Sequence, residues 1–335
     1  MPSLRRLFYL FYYLMNSDIK RIKAYLNHTS AVTGKPRVDL IIDIFRSVFR
    51  YNISIVDYFS FRFFGLNDFE RNKWAGTGFM YEYQLKMNPK STRIVLENKI
   101  RFLMHFKPFV KREFRNLNEL IDNQDVAVKM LACSSRRLVL KGSNGQIGKE
   151  VKVIDSSDCS YSSLIRQMKE ENYDLAEEYV VQHRSLMELS PSGLNTIRII
   201  TQLNNGVVEF LGARLRISVN SSVDNMAAGN LAAPVDIETG LVNGPGVYSD
   251  ITNEDRAIHP ITGQEITGFT IPYWNEVVEL AKNAAFHTTE NRSVGWDIAI
   301  TDDGPELIEG NHNWCKLLWQ LPVKKGLKNE LEKYI

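Results

Sequence analysis

Asp297, Glu309 and Asn311 stand in a run from Val294 to Asn311 in which apolar and polar residues alternate on either side of Asp302-Asp303-Gly304. Three oxygen-bearing side chains brought to one patch suit a hard dication such as Mg2+ rather than zinc. The alternating stretches 295–301 and 305–310 read as two strands, and a three-residue loop closing on a left-handed glycine is a standard hairpin connection. That register sets Thr301 opposite Pro305 and therefore Asp297 opposite Glu309. With side chains alternating by two, Asn311 shares their face. The alternative for an acidic hairpin met alone is a solvated outer face.

A second run with chemical content extends from Arg137 to Ile154, where two short strand-like stretches frame the glycine-rich turn Gly142 to Gly148. Glycines let backbone amides approach a polyphosphate, and Lys141 at the strand end supplies a point charge for its oxygens. The turn is not a P-loop: Gly148-Lys149 would need Gly at 143, which is Ser, and Ser or Thr at 150, which is Glu. No helix pattern opens after Gly148, so it is not a dinucleotide fingerprint. Arg198 interrupts an apolar strand between Ile197 and Ile199, where an unpaired charge is costly and an anionic partner is expected. Arg214 and Arg216, two apart on the next strand, share a face and either extend that cationic floor or form a salt-bridged surface.

The elements that must position these residues follow from pattern. The 335 residues, 44% hydrophobic and 24% charged, are ordinary for a folded chain of one large or several smaller domains. A net charge of +2 gives no whole-chain argument for nucleic acid. Three scattered cysteines and six unpaired histidines fit a reducing, cytoplasmic setting without a disulfide or zinc framework. Residues 3–70 are aromatic-rich and helical in pattern, with 38–50 the clearest helix. Leu7 to Met15, after Arg5-Arg6, is too short to span a bilayer and lacks a cleavage signal, so it reads as a buried helix or as a basic-aromatic helix on a membrane surface. Helices are expected at 93–106, 117–132 and 272–288. Strands are expected at 138–141, 150–154, 176–181, 196–203 and 207–217 and in the hairpin, with a turn-rich stretch at 219–263.

Five pieces occur in order: Asn88-Pro89 followed by Glu97-Asn98-Lys99; Lys141 with its turn; Glu177-Glu178-Tyr179-Val180; Asn195 to Thr201; and Asp297 with Glu309-Gly310-Asn311. Together they resemble the ATP-grasp enzymes, and within them the sugar-transfer-associated branch found among bacterial polysaccharide genes. The resemblance implies an α+β fold in which two α+β subdomains with antiparallel sheets grip ATP, beside an N-terminal helical region. The implied division is 1–85 for the helical region, 86–171 for the small or lid subdomain and 172–335 for the large subdomain. It implies that Lys99 and Lys141 contact the phosphates and that Gly142, Ser143, Asn144, Gly145 and Gly148 close over them. Glu177, Glu178, Tyr179 and Val180 would form the adenine-reading hinge.

The same resemblance makes Asp297, Glu309 and Asn311 ligands for one or two Mg2+ ions. It gives Arg198, Arg214 and Lys141 catalytic roles and places Arg216, Asp224 and Asn225 against substrate. His183 and Arg184 stand where the family often has an acid for the ribose, and Gly229-Asn230 where it commonly has a glycine pair. The implied activity is an ATP-dependent carboxylate–amine ligase working through an acyl phosphate, amidating a sugar carboxylate such as a uronic acid during capsule or surface-polysaccharide synthesis. The alternatives are a small-molecule or sugar kinase on the same fold and a non-catalytic nucleotide-binding module. Residues 1–25 are the candidate point of peripheral contact with the inner membrane or a glycosyltransferase.

Overall fold

The computed structural model describes residues 18–144 and 151–335. The apolar run Leu7 to Met15 and the turn positions Gly145 and Gly148 lie outside them. Nine strands among the described residues form two sheets.

The described residues open with helices Ile19–Thr33, Arg37–Tyr51 and Ile55–Ser60. Asp18 caps the first by accepting from the amides of Lys20 and Arg21, and Gly34 ends it in the left-handed conformation. Their inner faces bring Tyr25, Ile44, Val48, Tyr58 and Phe59 into an aromatic core that Phe63 and Trp74 of the following segment complete. Helix Thr77–Met87 then carries Met80, Tyr83 and Met87 against Trp314 and Trp319.

The smaller sheet has the order β1-β4-β2-β3, with β1 Phe114–Asn116, β2 Arg137–Lys141, β3 Val151–Asp155 and β4 Leu175–Glu178, every pairing antiparallel. Leu138, Leu140, Ile154 and Ala176 face a core with Leu164 and Met168 of helix Tyr161–Glu170. Alternation turns Lys141 and Glu177 to the other face. The strand Leu175–Glu178 thus lies in this sheet, between β1 and β2.

The larger sheet has the order β7-β6-β5-β8-β9, again antiparallel, from β5 Ile197–Asn204, β6 Val207–Ile217, β7 Leu231–Val235, β8 Ser293–Thr301 and β9 Gly304–Asn311. Ile197, Ile199, Leu215, Trp296, Ile298 and Leu307 pack on helix Trp274–His287, which leaves the opposite face to the charged residues.

Two strands escape the sequence patterns. β1 is three residues long, and β7 lies within the stretch expected to be turns. Two expected helices are each broken in two, at Asn98 and Asn123. Asparagine side chains there accept from Arg101 and from Asp125 and Val126, starting a new helix instead of continuing the old one.

Candidate functional site

Four strands of the large sheet place four charged side chains in one row. Arg214 on β6 lies opposite Arg198 on β5, Arg198 opposite Asp297 on β8, and Asp297 opposite Glu309 on β9. The last pairing arises differently from the expected hairpin. Thr301 pairs with Gly304 rather than Pro305, a two-residue connection with Gly304 at φ 96°. A β-bulge between Asp297 and Ile298 then makes good the missing residue, so Asp297 still meets Glu309. Without that bulge Glu309 would fall opposite Trp296, on the core face.

Asp297 is not solvated: it is 2% exposed and accepts a two-pronged contact from Arg198, through Nε to Oδ1 and through Nη2 to Oδ2 at 2.7 Å. Arg216 Nη1 also reaches Oδ2 at 2.7 Å. Burial opposes the charged form of Asp297, but the two guanidiniums hold its carboxyl far below the usual range. Glu309 goes the other way, pushed up by burial and by the neighbouring Asp297 carboxylate. Asn311 donates to Glu309 Oε1 at 3.0 Å. Two carboxyl groups crowded together beside an amide oxygen form an arrangement that a dication relieves. No group of three His, Cys, Asp or Glu side chains able to hold a metal ion occurs among the described residues, here or elsewhere; the third ligand candidate at this site is the Asn311 amide.

The arginine of the row that faces no acid is Arg214. It is 3% exposed and donates to the carbonyls of Trp319 and Ala213, so it supports the helix Lys316–Gln320 under the sheet. Burial without a carboxylate lowers its pKa to about 10. Arg216 also pairs with Asp224 at 2.8 Å, and Asp224 accepts from the amide and hydroxyl of Thr196. Asp224 thereby pins its loop to the sheet, and Asn225 caps a short turn through Ala227. Asn230 holds the same loop by accepting from Val219 and donating to the carbonyls of Val223 and Asn225.

In the small lobe Lys141 Nζ lies 2.8 Å from Glu177, which is 2% exposed. Burial would raise the Glu177 pKa, yet Lys141 and Arg112 hold it down to about 2. Lys99 Nζ donates to the Gly142 carbonyl at 3.0 Å. Ser143 is gripped by Asp174 through its amide and hydroxyl, both at 2.6 Å, and Asn98 reaches Ser143 and Asn144. The start of the turn is thus fixed by Asn98 and Lys99 of the early motif together with Asp174, which carried no sequence signal of its own. Glu178 pairs with Glu113 through backbone and side chain. Tyr179 donates its amide to Arg137, whose guanidinium stacks 3.7 Å over its ring, and Val180 follows. His183 caps helix Arg184–Leu189, while Arg184 is exposed. Sequence reasoning missed Arg112, which joins Glu177 to Glu306 across the lobes. It sits in a basic loop without periodicity, and nothing in its neighbours marks it.

Two α+β lobes on antiparallel sheets, bridged by Arg112 between Glu177 of one and Glu306 of the other, are the architecture of an ATP-grasp protein. Within that class the chain belongs to the sugar-transfer associated ATP-grasp family, whose model matches residues 79–334. Solved structures with a similar trace include the L-amino acid ligase from Bacillus licheniformis, 14% identical over 66% of this chain and 41% of that one, with a TM-score of 0.38. A carboxyaminoimidazole ribonucleotide synthase from Aspergillus clavatus is 13% identical over 67% and 47%, with a TM-score of 0.41. D-alanyl-alanine synthetase A from Vibrio cholerae is 12% identical over 69% and 65%, with a TM-score of 0.38. The chain spans less than half the length of the first two. None of the curated proteins matches it.

Proposed function

We propose that this chain is an ATP-dependent carboxylate–amine ligase that amidates a sugar carboxylate, such as a uronic acid, in building a capsule or other surface glycan. The observation that carries the reading is the row Arg198, Asp297 and Glu309 on the face of the large sheet turned away from helix Trp274–His287, in a member of an ATP-grasp family. Asp297, Glu309 and Asn311 would hold Mg2+, which neutralises charge on the transferring phosphoryl group. Lys141 and Lys99, with the turn from Gly142 onward, bind the nucleotide phosphates, and Glu177 orients Lys141. The segment Glu178 to Val180 lines the adenine end. Arg198 and Arg216 are set toward the substrate side, with Asp224 fixing Arg216; Arg214 stiffens the floor beneath them.

A substrate carboxylate oxygen attacks the γ-phosphorus, ADP leaves, and an amine displaces phosphate from the acyl carbon to form the amide. Such a site works by positioning and fixed charge, without a protein nucleophile. Two of the three cysteines, Cys133 and Cys159, belong to the small-lobe core. No helix among the described residues is long and apolar enough to cross a membrane. We place the protein in the cytoplasm, with the start of the chain as its contact with the inner membrane or a glycosyltransferase.

Hydroxylamine traps acyl phosphates, so the test is mass spectrometry of reactions with ATP, Mg2+, a pool of uronic-acid sugars and hydroxylamine, with Glu309→Gln as control. ADP with a sugar hydroxamate is expected. ADP with a phosphorylated sugar and no hydroxamate would make the protein a kinase, and no ADP from any acid would remove the ligase reading for this substrate class.

A further inference from the structure

Arg112 lies between the turn Lys107–Phe109 and β1, where the chain passes from one lobe to the other. Its side chain is 4% exposed, and its donors are divided between the two sheets. Nε donates to Glu177 of the small sheet at 2.5 Å. Nη1 donates at 2.9 Å both to the Glu306 carboxylate and to the Leu307 carbonyl of the large sheet, and Nη2 reaches the Ile308 carbonyl at the longer distance of 3.5 Å. The amides of Lys111 and Arg112 donate to the same Glu306 oxygen at 3.3 Å.

Each end of this contact set leads to one half of the site. Glu177 uses its other oxygen to hold Lys141, so Arg112 fixes the carboxylate that fixes the lysine. Leu307 and Ile308 are where the β8–β9 ladder slips by one residue, the slip that keeps Glu309 beside Asp297. A bulge leaves a residue unpaired in the ladder, and here a planar fork of donors supports the backbone around it.

We infer that Arg112 is a positioning residue that makes nucleotide and cation binding depend on each other, setting Lys141 through Glu177 and Glu309 through the bulge carbonyls. The inference rests on the reading of Lys141 as a phosphate contact and of Asp297, Glu309 and Asn311 as metal ligands. Coupling between two ligands is a ratio of affinities and is reciprocal, so it can be read without knowing the acceptor substrate.

The experiment is calorimetric titration of the full chain with ADP, in Mg2+ and in EDTA, for the wild type and Arg112→Lys. Lysine keeps the charge but cannot reach Glu177, Glu306 and the two carbonyls together. Mg2+ is expected to tighten ADP about tenfold in the wild type and less than about twofold in Arg112→Lys, with a cooperative melt retained. An unchanged ratio in a folded Arg112→Lys protein would overturn the inference and leave the site reading intact. ADP binding by the wild type that ignores Mg2+ would instead overturn the site reading, and the inference with it. Should Arg112→Lys fail to fold, Arg112→Met combined with Glu306→Gln removes one charge of each sign and leaves Glu177 paired with Lys141; the same ratios decide.

Discussion

At the scale of single residues, Asp297 and Glu309 share one site but should respond oppositely to loss of charge. Asp297→Asn leaves Arg198 and Arg216 buried with one acid fewer, which costs about 3 kcal/mol or more. Glu309→Gln removes a carboxyl already crowded by Asp297, so stability should change by less than about 1 kcal/mol while turnover and the Mg2+ effect on ADP disappear. Denaturant melts beside ADP titrations test both, and full activity in Glu309→Gln would remove it as a metal ligand. Glu177 makes a pH prediction. Its folded pKa of about 2 lies below the ordinary 4.5, so its stabilisation is complete above 4.5 and is lost as pH falls from there toward 2. Wild-type protein should lose about 3 kcal/mol more than Glu177→Gln across that window. Parallel pH profiles of the unfolding midpoint in the two proteins would contradict this.

At the scale of elements, the hairpin shows how much of the site was legible. The identity and facing of Asp297, Glu309 and Asn311 followed from alternation alone, yet the route to them differs, because a tight turn and a bulge compensate for each other. Neither leaves a mark in an alternating pattern, since a bulge is held by contacts from elsewhere, here Arg112. The helix breaks at Asn98 and Asn123 were readable in principle from asparagine's capping preference, but apolar periodicity ran through them. β7 was hidden because its Ala232, Ala233 and Pro234 carry little strand propensity and are buried by the sheet rather than by local pattern. The glycines of the hairpin motif have a packing cause. A Cβ at Gly295 would come 2.7 Å from Trp314 Cβ and 3.0 Å from Arg198 Cδ, and one at Gly310 would come 2.8 Å from the Trp296 ring. Gly295→Ala should therefore displace Arg198 from Asp297, costing about 1–3 kcal/mol and weakening Mg2+-dependent ADP binding. A variant with wild-type stability and binding would show that the close approach is not needed.

At the scale of the whole molecule, the aromatic N-terminal region was legible as helical but not as part of the same body as the C-terminus, because the contacts joining them are hundreds of residues apart in sequence. Asp57 is 1% exposed, accepts from Thr77 and pairs with Lys316 at 3.0 Å. Gln320 exchanges hydrogen bonds with both backbone groups of Ala75, and Lys328 donates its amide to Lys73. The helix carrying Gln320 also supplies the Trp319 carbonyl that accepts from Nε and Nη2 of buried Arg214. The N-terminal helices therefore brace the floor of the candidate site through one intermediate helix. Removing residues 1–75 should abolish cooperative unfolding of the rest, since it takes Ala75 from the core around Trp319, strips Gln320 of both Ala75 bonds and leaves Lys316 without Asp57. A truncated protein that melts cooperatively and still binds ADP would show instead that the region is a separable module. The same contacts decide how membrane association must be tested. Tyr25 lies in the aromatic core, so deleting residues 1–25 damages the fold itself, whereas deleting 1–17 stops short of the first described helix. Loss of membrane association on removing 1–17, with the melt unchanged, is the outcome expected of a peripheral anchor; retention would place any such contact elsewhere on the chain.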